Sequence, residues 1–120
     1  MPSTVQPILL SADLERLRTF YVDLLGATET SRTPDEGPAF YVGLRIGDSD
    51  VGLVAEAAVA GAPAGRILLS VEVPDVQALI PSVERLGGEV TGGPNDMPWG
   101  QRVAHCTDPD GNVVNLTQEI

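Results

Sequence analysis

An internal repeat constrains this chain more than any other feature. Ser11-Ala12-Asp13-Leu14 opens an amphipathic stretch that closes on Leu25-Gly26 and runs into Ala27-Thr28-Glu29-Thr30. Val73-Pro74-Asp75-Val76 opens a second that closes on Leu86-Gly87 and runs into Gly88-Glu89-Val90-Thr91. Each half then reaches a polar turn between apolar runs, Gly47-Asp48-Ser49-Asp50 in the first and Asp108-Pro109-Asp110-Gly111-Asn112 in the second. A repeat of about sixty residues is a whole supersecondary unit that has to bury an apolar face. Two related modules are therefore expected, 1–56 and 66–120, joined by a linker over 57–65 that is rich in Ala, Gly and Pro and carries no charge.

Periodicity assigns the elements. Residues 5–11 form an apolar run of strand length. Asp13 is placed to cap a helix whose apolar positions Leu14, Leu17, Phe20, Tyr21, Leu24 and Leu25 recur at helical spacing before Gly26 stops it. Residues 28–33 suit a strand. Phe40, Val42, Leu44 and Ile46 alternate with Tyr41, Gly43 and Arg45, which predicts a half-buried strand with the first set against the helix. Residues 51–55 return after the turn. In the second half a strand over 66–73 leads to a helix capped by Asp75, with Val76, Leu79, Ile80, Val83 and Leu86 inward. Pro81 should bend that helix or split off its first turn. A short strand over 89–91, a loop over 92–98 and a hairpin of 101–107 with 113–118 complete the module. The fold class is α+β, paired βαβββ modules, each a curled sheet with one helix outside. The two open sheet faces, side by side, would make a cup suited to a small molecule.

At 120 residues the chain suits a single domain with one sizeable core. No apolar run approaches the roughly 20 residues that span a bilayer, and Met1-Pro2-Ser3-Thr4 has no signal-like pattern. A cytoplasmic location is expected. The net charge of −10 repels nucleic acid and anionic membranes; it serves solubility first and would also attract a cationic ligand. All seven basic residues are Arg. The single cysteine, Cys106, excludes an internal disulfide and reads as a small core residue.

Phe20-Tyr21-Val22-Asp23-Leu24-Leu25-Gly26, the repeat itself, and Trp99-Gly100-Gln101-Arg102 followed by the Asp108–Asn112 turn resemble the vicinal oxygen chelate superfamily. That superfamily includes glyoxalase I, extradiol dioxygenases, fosfomycin-resistance enzymes and bleomycin-resistance proteins. The resemblance implies paired βαβββ modules, a homodimer, and, in the family's enzymes, a divalent metal held by four side chains on four strands. Carried over one at a time, the first ligand position falls on Gln6, the second near Gly52, the third on Leu68 and the fourth on Asn115. Glu56 and Glu72 are the carboxylates nearest to these positions. Gly52 and Leu68 offer no donor, and Gln6 and Asn115 offer only neutral carbonyl oxygens. A divalent transition metal needs several anionic or imidazole donors. No metal and no other cofactor is therefore expected.

Alternation turns Gln6, Ile8 and Leu10, Tyr41 and Arg45, Leu68, Ser70 and Glu72, and Val113, Asn115 and Thr117 toward the cup. Trp99, in a Gly/Pro-rich loop, suits ligand stacking or a subunit interface. Arg45 and Arg102 could hold an acidic group. His105 is the only histidine, which excludes a zinc cluster, and alternation leaves the direction it faces open. The expected function is metal-independent binding of a small molecule, an antibiotic or a metabolite, as in the bleomycin-resistance branch. Gln6, Tyr41, Arg45, Leu68, Trp99, Arg102 and Asn115 would be its ligand contacts. One alternative is a metal-dependent lyase, isomerase or dioxygenase of glyoxalase type, with the ion at Gln6, Glu56 or Glu72, and Asn115. Another is a metal-free enzyme with His105 or Glu72 as base.

Overall fold

The computed structural model describes residues 6–61 and 68–120. The chain divides into two compact units, Met1–Ala62 and Pro63–Ile120, so the division falls inside the stretch read as a linker. The parts of the expected strands at residue 5 and at 66–67 lie outside the described residues.

In the first unit β1 (Ile8–Ser11) leads to α1 (Leu14–Leu25), followed by β2 (Thr28–Thr33), β3 (Tyr41–Ile46) and β4 (Ser49–Ala55). The sheet order is β1-β4-β3-β2, with β1 parallel to β4 and the other pairs antiparallel. The Asp13 carboxylate accepts from Arg16 N at 3.2 Å, and Gly26, at φ 70°, ends the helix in a left-handed turn that costs glycine nothing. Leu17, Phe20 and Tyr21 are fully buried against Val42, Leu44 and Leu53, and the Phe20 and Tyr21 rings meet edge to face at 5.2 Å. Arg18 and Glu15 of α1 are tied to β2 through Glu29 and Arg32.

The second unit repeats the order with β5 (Leu68–Glu72), α2 (Val76–Arg85), β6 (Glu89–Asp96), β7 (Gln101–Thr107) and β8 (Val113–Glu119). Its sheet runs β5-β8-β7-β6, with β5 parallel to β8. Asp75 caps α2 by accepting from Ala78 N at 3.2 Å, and the inner face buries Val76 and Val83 over Ala104, Cys106, Val114 and Leu116. Both units thus have the α+β architecture expected.

Four local expectations are corrected. Helix α2 is not split at Pro81; Pro81 and Gln77, whose carbonyl loses its donor, are both exposed, so that carbonyl meets water. Strand β6 runs eight residues, through the stretch read as a loop, because two register shifts around Gly92 let it re-pair at Asn95–Val103 and Asp96–Arg102. Phe40 does not pack on α1: it precedes β3 and is 57% exposed. Part of the linker, Ala57–Val59, is a 3-10 turn rather than flexible chain, capped by Glu56.

Candidate functional site

Each sheet has a face that its helix does not cover, and the predicted site residues can be placed on it strand by strand. In the first unit Ile8 pairs with Gly52, Gly52 with Gly43, and Gly43 with Ser31, so one row of the helix-free face contains two glycines side by side. Tyr41, one pleat away on the same face, leans over that row. A Cβ on Gly52 would lie 3.0 Å from Tyr41 Cε1 and 2.5 Å from Ile8 Cδ1. The phenol accepts from Gln6 Nε2 at 3.3 Å. The Ser31 and Thr30 hydroxyls crowd the Gly43 end of the row, where a Cβ would meet them at 2.6 and 3.0 Å. Gln6 and Tyr41 are therefore brought together as a hydrogen-bonded pair, flanked by the exposed Ile8 and Leu10. Ser31 and Thr30 were legible only as strand residues, because the bulge between Glu29 and Ser31 breaks the alternation that would have assigned their face.

Arg45 shares this face but is engaged. Its guanidinium lies 3.2 Å from Asp50 Oδ1, across the strand pair, and donates to the Asp48 carbonyl. Glu56 is not on the face: its carboxylate accepts from Ala58 N at 3.1 Å and caps the 3-10 turn.

In the second unit the corresponding row reads Ser70, Asn115, His105 and Gly92 across β5, β8, β7 and β6. The structure thereby resolves the direction of His105: Ala104 and Cys106 are buried on the α2 side, and the imidazole lies on the helix-free side. His105 Nδ1 is 2.9 Å from Asn115 Oδ1. Glu72 lies one pleat along β5, opposite Thr117, and Leu68 one pleat the other way, opposite Val113 and 50% exposed. Trp99 stands at the β6–β7 turn, 67% exposed, with its indole N–H donated to Gln101 Oε1 at 2.9 Å. Gln101 shares the face of His105, four residues or roughly 13 Å along the strand. Burial pushes the Cys106 thiol up, away from nucleophilic use.

Arg102 is not brought to this face. It alternates with Ala104 and Cys106 on the helix side and pairs with Asp96 at 2.7 Å, an interaction that lowers the Asp96 pKa. A depression of about 410 Å³ lined by Glu72, Val73, Pro74, Gln118 and Glu119 opens at the ends of β5 and β8, and of the predicted site residues it includes Glu72 alone.

The family's metal can be tested against the donors. Gly52 lies beneath Tyr41 and has no side chain, Leu68 is a hydrocarbon, and the Gln6 and Asn115 amides are neutral and already hydrogen-bonded. Among the described residues no three His, Cys, Asp or Glu side chains cluster to hold an ion. These donors do not fit a divalent transition metal, which needs several anionic or imidazole ligands to offset its dehydration.

Comparison with known proteins agrees with the architecture. The family model described as Glyoxalase/Bleomycin resistance protein/Dioxygenase superfamily matches residues 4–116. A glyoxalase/bleomycin resistance protein/dioxygenase family enzyme from Burkholderia phytofirmans PsJN superposes with a TM-score of 0.78 at 21% identity, over 96% of this chain and 97% of that one. The hypothetical protein SA1046 from S. aureus gives 0.76 at 27% identity, over 98% of both chains. The fosfomycin resistance protein FosX from Mesorhizobium loti gives 0.74 at 17% identity, over 100% of this chain and 94% of that one. No curated protein matches the sequence significantly.

Proposed function

Because this chain belongs to the glyoxalase/bleomycin resistance protein/dioxygenase superfamily, we propose that it binds a small organic molecule on the helix-free faces of its sheets without a metal ion. One observation carries the reading. Of the four positions at which the family's enzymes place metal ligands, Gly52 and Leu68 supply no donor, and Gln6 and Asn115 hold neutral amides engaged with Tyr41 and His105. What those faces offer is apolar contact from Ile8, Leu10 and Leu68 beside a few oriented polar groups, the chemistry of a small-molecule site. Trp99 adds an exposed indole plane whose N–H is already satisfied, which leaves its rings for stacking. The charge of −10 favours a cationic or neutral ligand over an anion. The fosfomycin-resistance neighbour makes an antibiotic one candidate class and a metabolite the other. A homodimer belongs to the same reading, as does a location in the cytoplasm; among the described residues no helix is long and apolar enough to cross a membrane.

The test is a thermal-shift screen of a compound panel with excess EDTA present, followed by titration of Trp99 fluorescence. A binder raises the unfolding midpoint equally with and without the chelator. Stabilisation that requires an added divalent ion would instead support the glyoxalase-type reading.

A second reading, a metal-free enzyme, rests on the His105–Asn115 contact, since an imidazole oriented by a neighbouring amide is the arrangement a general base requires. Turnover lost in His105→Ala while binding persists would favour it.

A further inference from the structure

The His105–Asn115 contact has a chemical direction. An amide oxygen can only accept, so Asn115 Oδ1, 2.9 Å from His105 Nδ1, selects the tautomer with its hydrogen on Nδ1 for as long as the amide keeps this orientation. The neutral ring then has its lone pair on Nε2. The strand facing His105 presents Gly92 at the paired position, and a Cβ built there would stand 3.6 Å from Cδ2, the carbon bonded to Nε2. That is ordinary van der Waals distance, so glycine is not demanded there by packing, and its effect is that this strand puts no side chain against the Cδ2 side of the half-buried ring. Among the described residues Nε2 has no hydrogen-bond partner.

We infer that His105, oriented by Asn115 and left open by Gly92, is a fixed hydrogen-bond acceptor for the O–H or N–H group of a bound ligand. This rests on the binding reading above and narrows it. The ligand class is an uncharged or cationic molecule with a hydroxyl, amide or amine donor. A carboxylate or phosphate, which brings only acceptor oxygens to Nε2, is disfavoured by the lone pair and by the charge of the chain.

The inference can be tested without the natural ligand. In ¹⁵N NMR of the imidazole, Nδ1 should give the shift of a protonated nitrogen and Nε2 that of an unprotonated one. The assignment is overturned if Nε2 has the proton. Asn115→Leu, which removes the acceptor, should move the ring toward the Nε2–H form. Benzamide, an N–H donor on an aromatic carrier, should shift the Nε2 resonance in the full-length protein, whereas benzoate at the same concentration should not. Gly92→Leu, which covers the edge while keeping both partners, should abolish the benzamide response and leave the tautomer unchanged. An equal response to benzoate, a response that survives in Gly92→Leu, or no Nε2 response to benzamide would overturn the acceptor role. Failure of the compound panel, with the Nε2 results as expected, would count against the wider binding reading instead.

Discussion

Gly43 and Gly52 face each other across β3 and β4, and the Tyr41 ring lies over the gap they leave. The arrangement ties Tyr41 to Gln6 by a 3.3 Å hydrogen bond and sets the polar floor of the first unit's helix-free face. Gly52→Ala puts a methyl group 3.0 Å from Tyr41 Cε1 and 2.5 Å from the end of the exposed, flexible Ile8 side chain. The expected result is a stability change within about 1 kcal/mol, since Ile8 can swing aside, together with displacement of Tyr41. Ring resonances of Tyr41 that stay unchanged in the variant would contradict this placement.

Gly93 is a different case. It has φ 81°, and a Cβ there would lie 2.6 Å from the Val103 carbonyl oxygen, which is backbone and cannot swing aside. Gly93→Ala should cost about 2 kcal/mol in urea unfolding, from positive-φ strain and the clash together. The neighbouring Gly92→Ala makes only ordinary contact and should change stability by less than about 0.5 kcal/mol. Equal effects of the two would refute the local geometry.

Asp108 is 2% exposed and organises the β7–β8 turn. Its Oδ1 accepts from the N–H groups of Asp110 and Asn112 at 2.9 and 3.0 Å, and its Oδ2 from Asn112 Nδ2 at 2.8 Å. Asp108→Ala leaves those donors without their acceptor and should cost about 2–3 kcal/mol. A loss below about 0.5 kcal/mol in the same assay would show that the carboxylate does not hold the turn.

Glu29 lies between two guanidiniums, and the hydrogen bonds from Arg32 first and Arg18 second lower its pKa to about 2. A carboxylate depressed on folding adds stability that is fully present above its unfolded value, about 4.3, and is lost as pH falls through the folded value. The group is partly exposed, so Glu29→Gln should cost only about 1 kcal/mol at pH 7. That difference should shrink between about pH 4 and pH 2. A gap that stays constant over this range would mean that packing, not charge, is what the substitution removes.

Much of the fold was legible because its signals are local. Asp13, Gly26 and Asp75 cap as their positions in the repeat imply, and Val42 and Leu44 bury as alternation requires. Where local signals compete with pairing, the sequence misleads. Gly92-Gly93-Pro94 looks like loop composition, yet β6 passes through it because β7 supplies partners beyond the irregularity. Arg102 reads as a residue that could hold an acidic ligand group, but its place in the β7 register turns it to the helix side and onto Asp96. His105 was ambiguous because both its neighbours, Ala104 and Cys106, are small. Only the pairing with Asn115 and Gly92 places it, and that pairing depends on residues distant in the chain.

The central claim, that these sheet faces hold an organic ligand and not a metal centre, is tested most directly by elemental analysis. The protein would be purified without chelators and then incubated with Ni²⁺, Zn²⁺, Fe²⁺ or Mn²⁺ and desalted. The account predicts far less than one equivalent of any of these ions per chain. One tightly retained equivalent, lost when Asn115 or Gln6 is replaced by Ala, would contradict it.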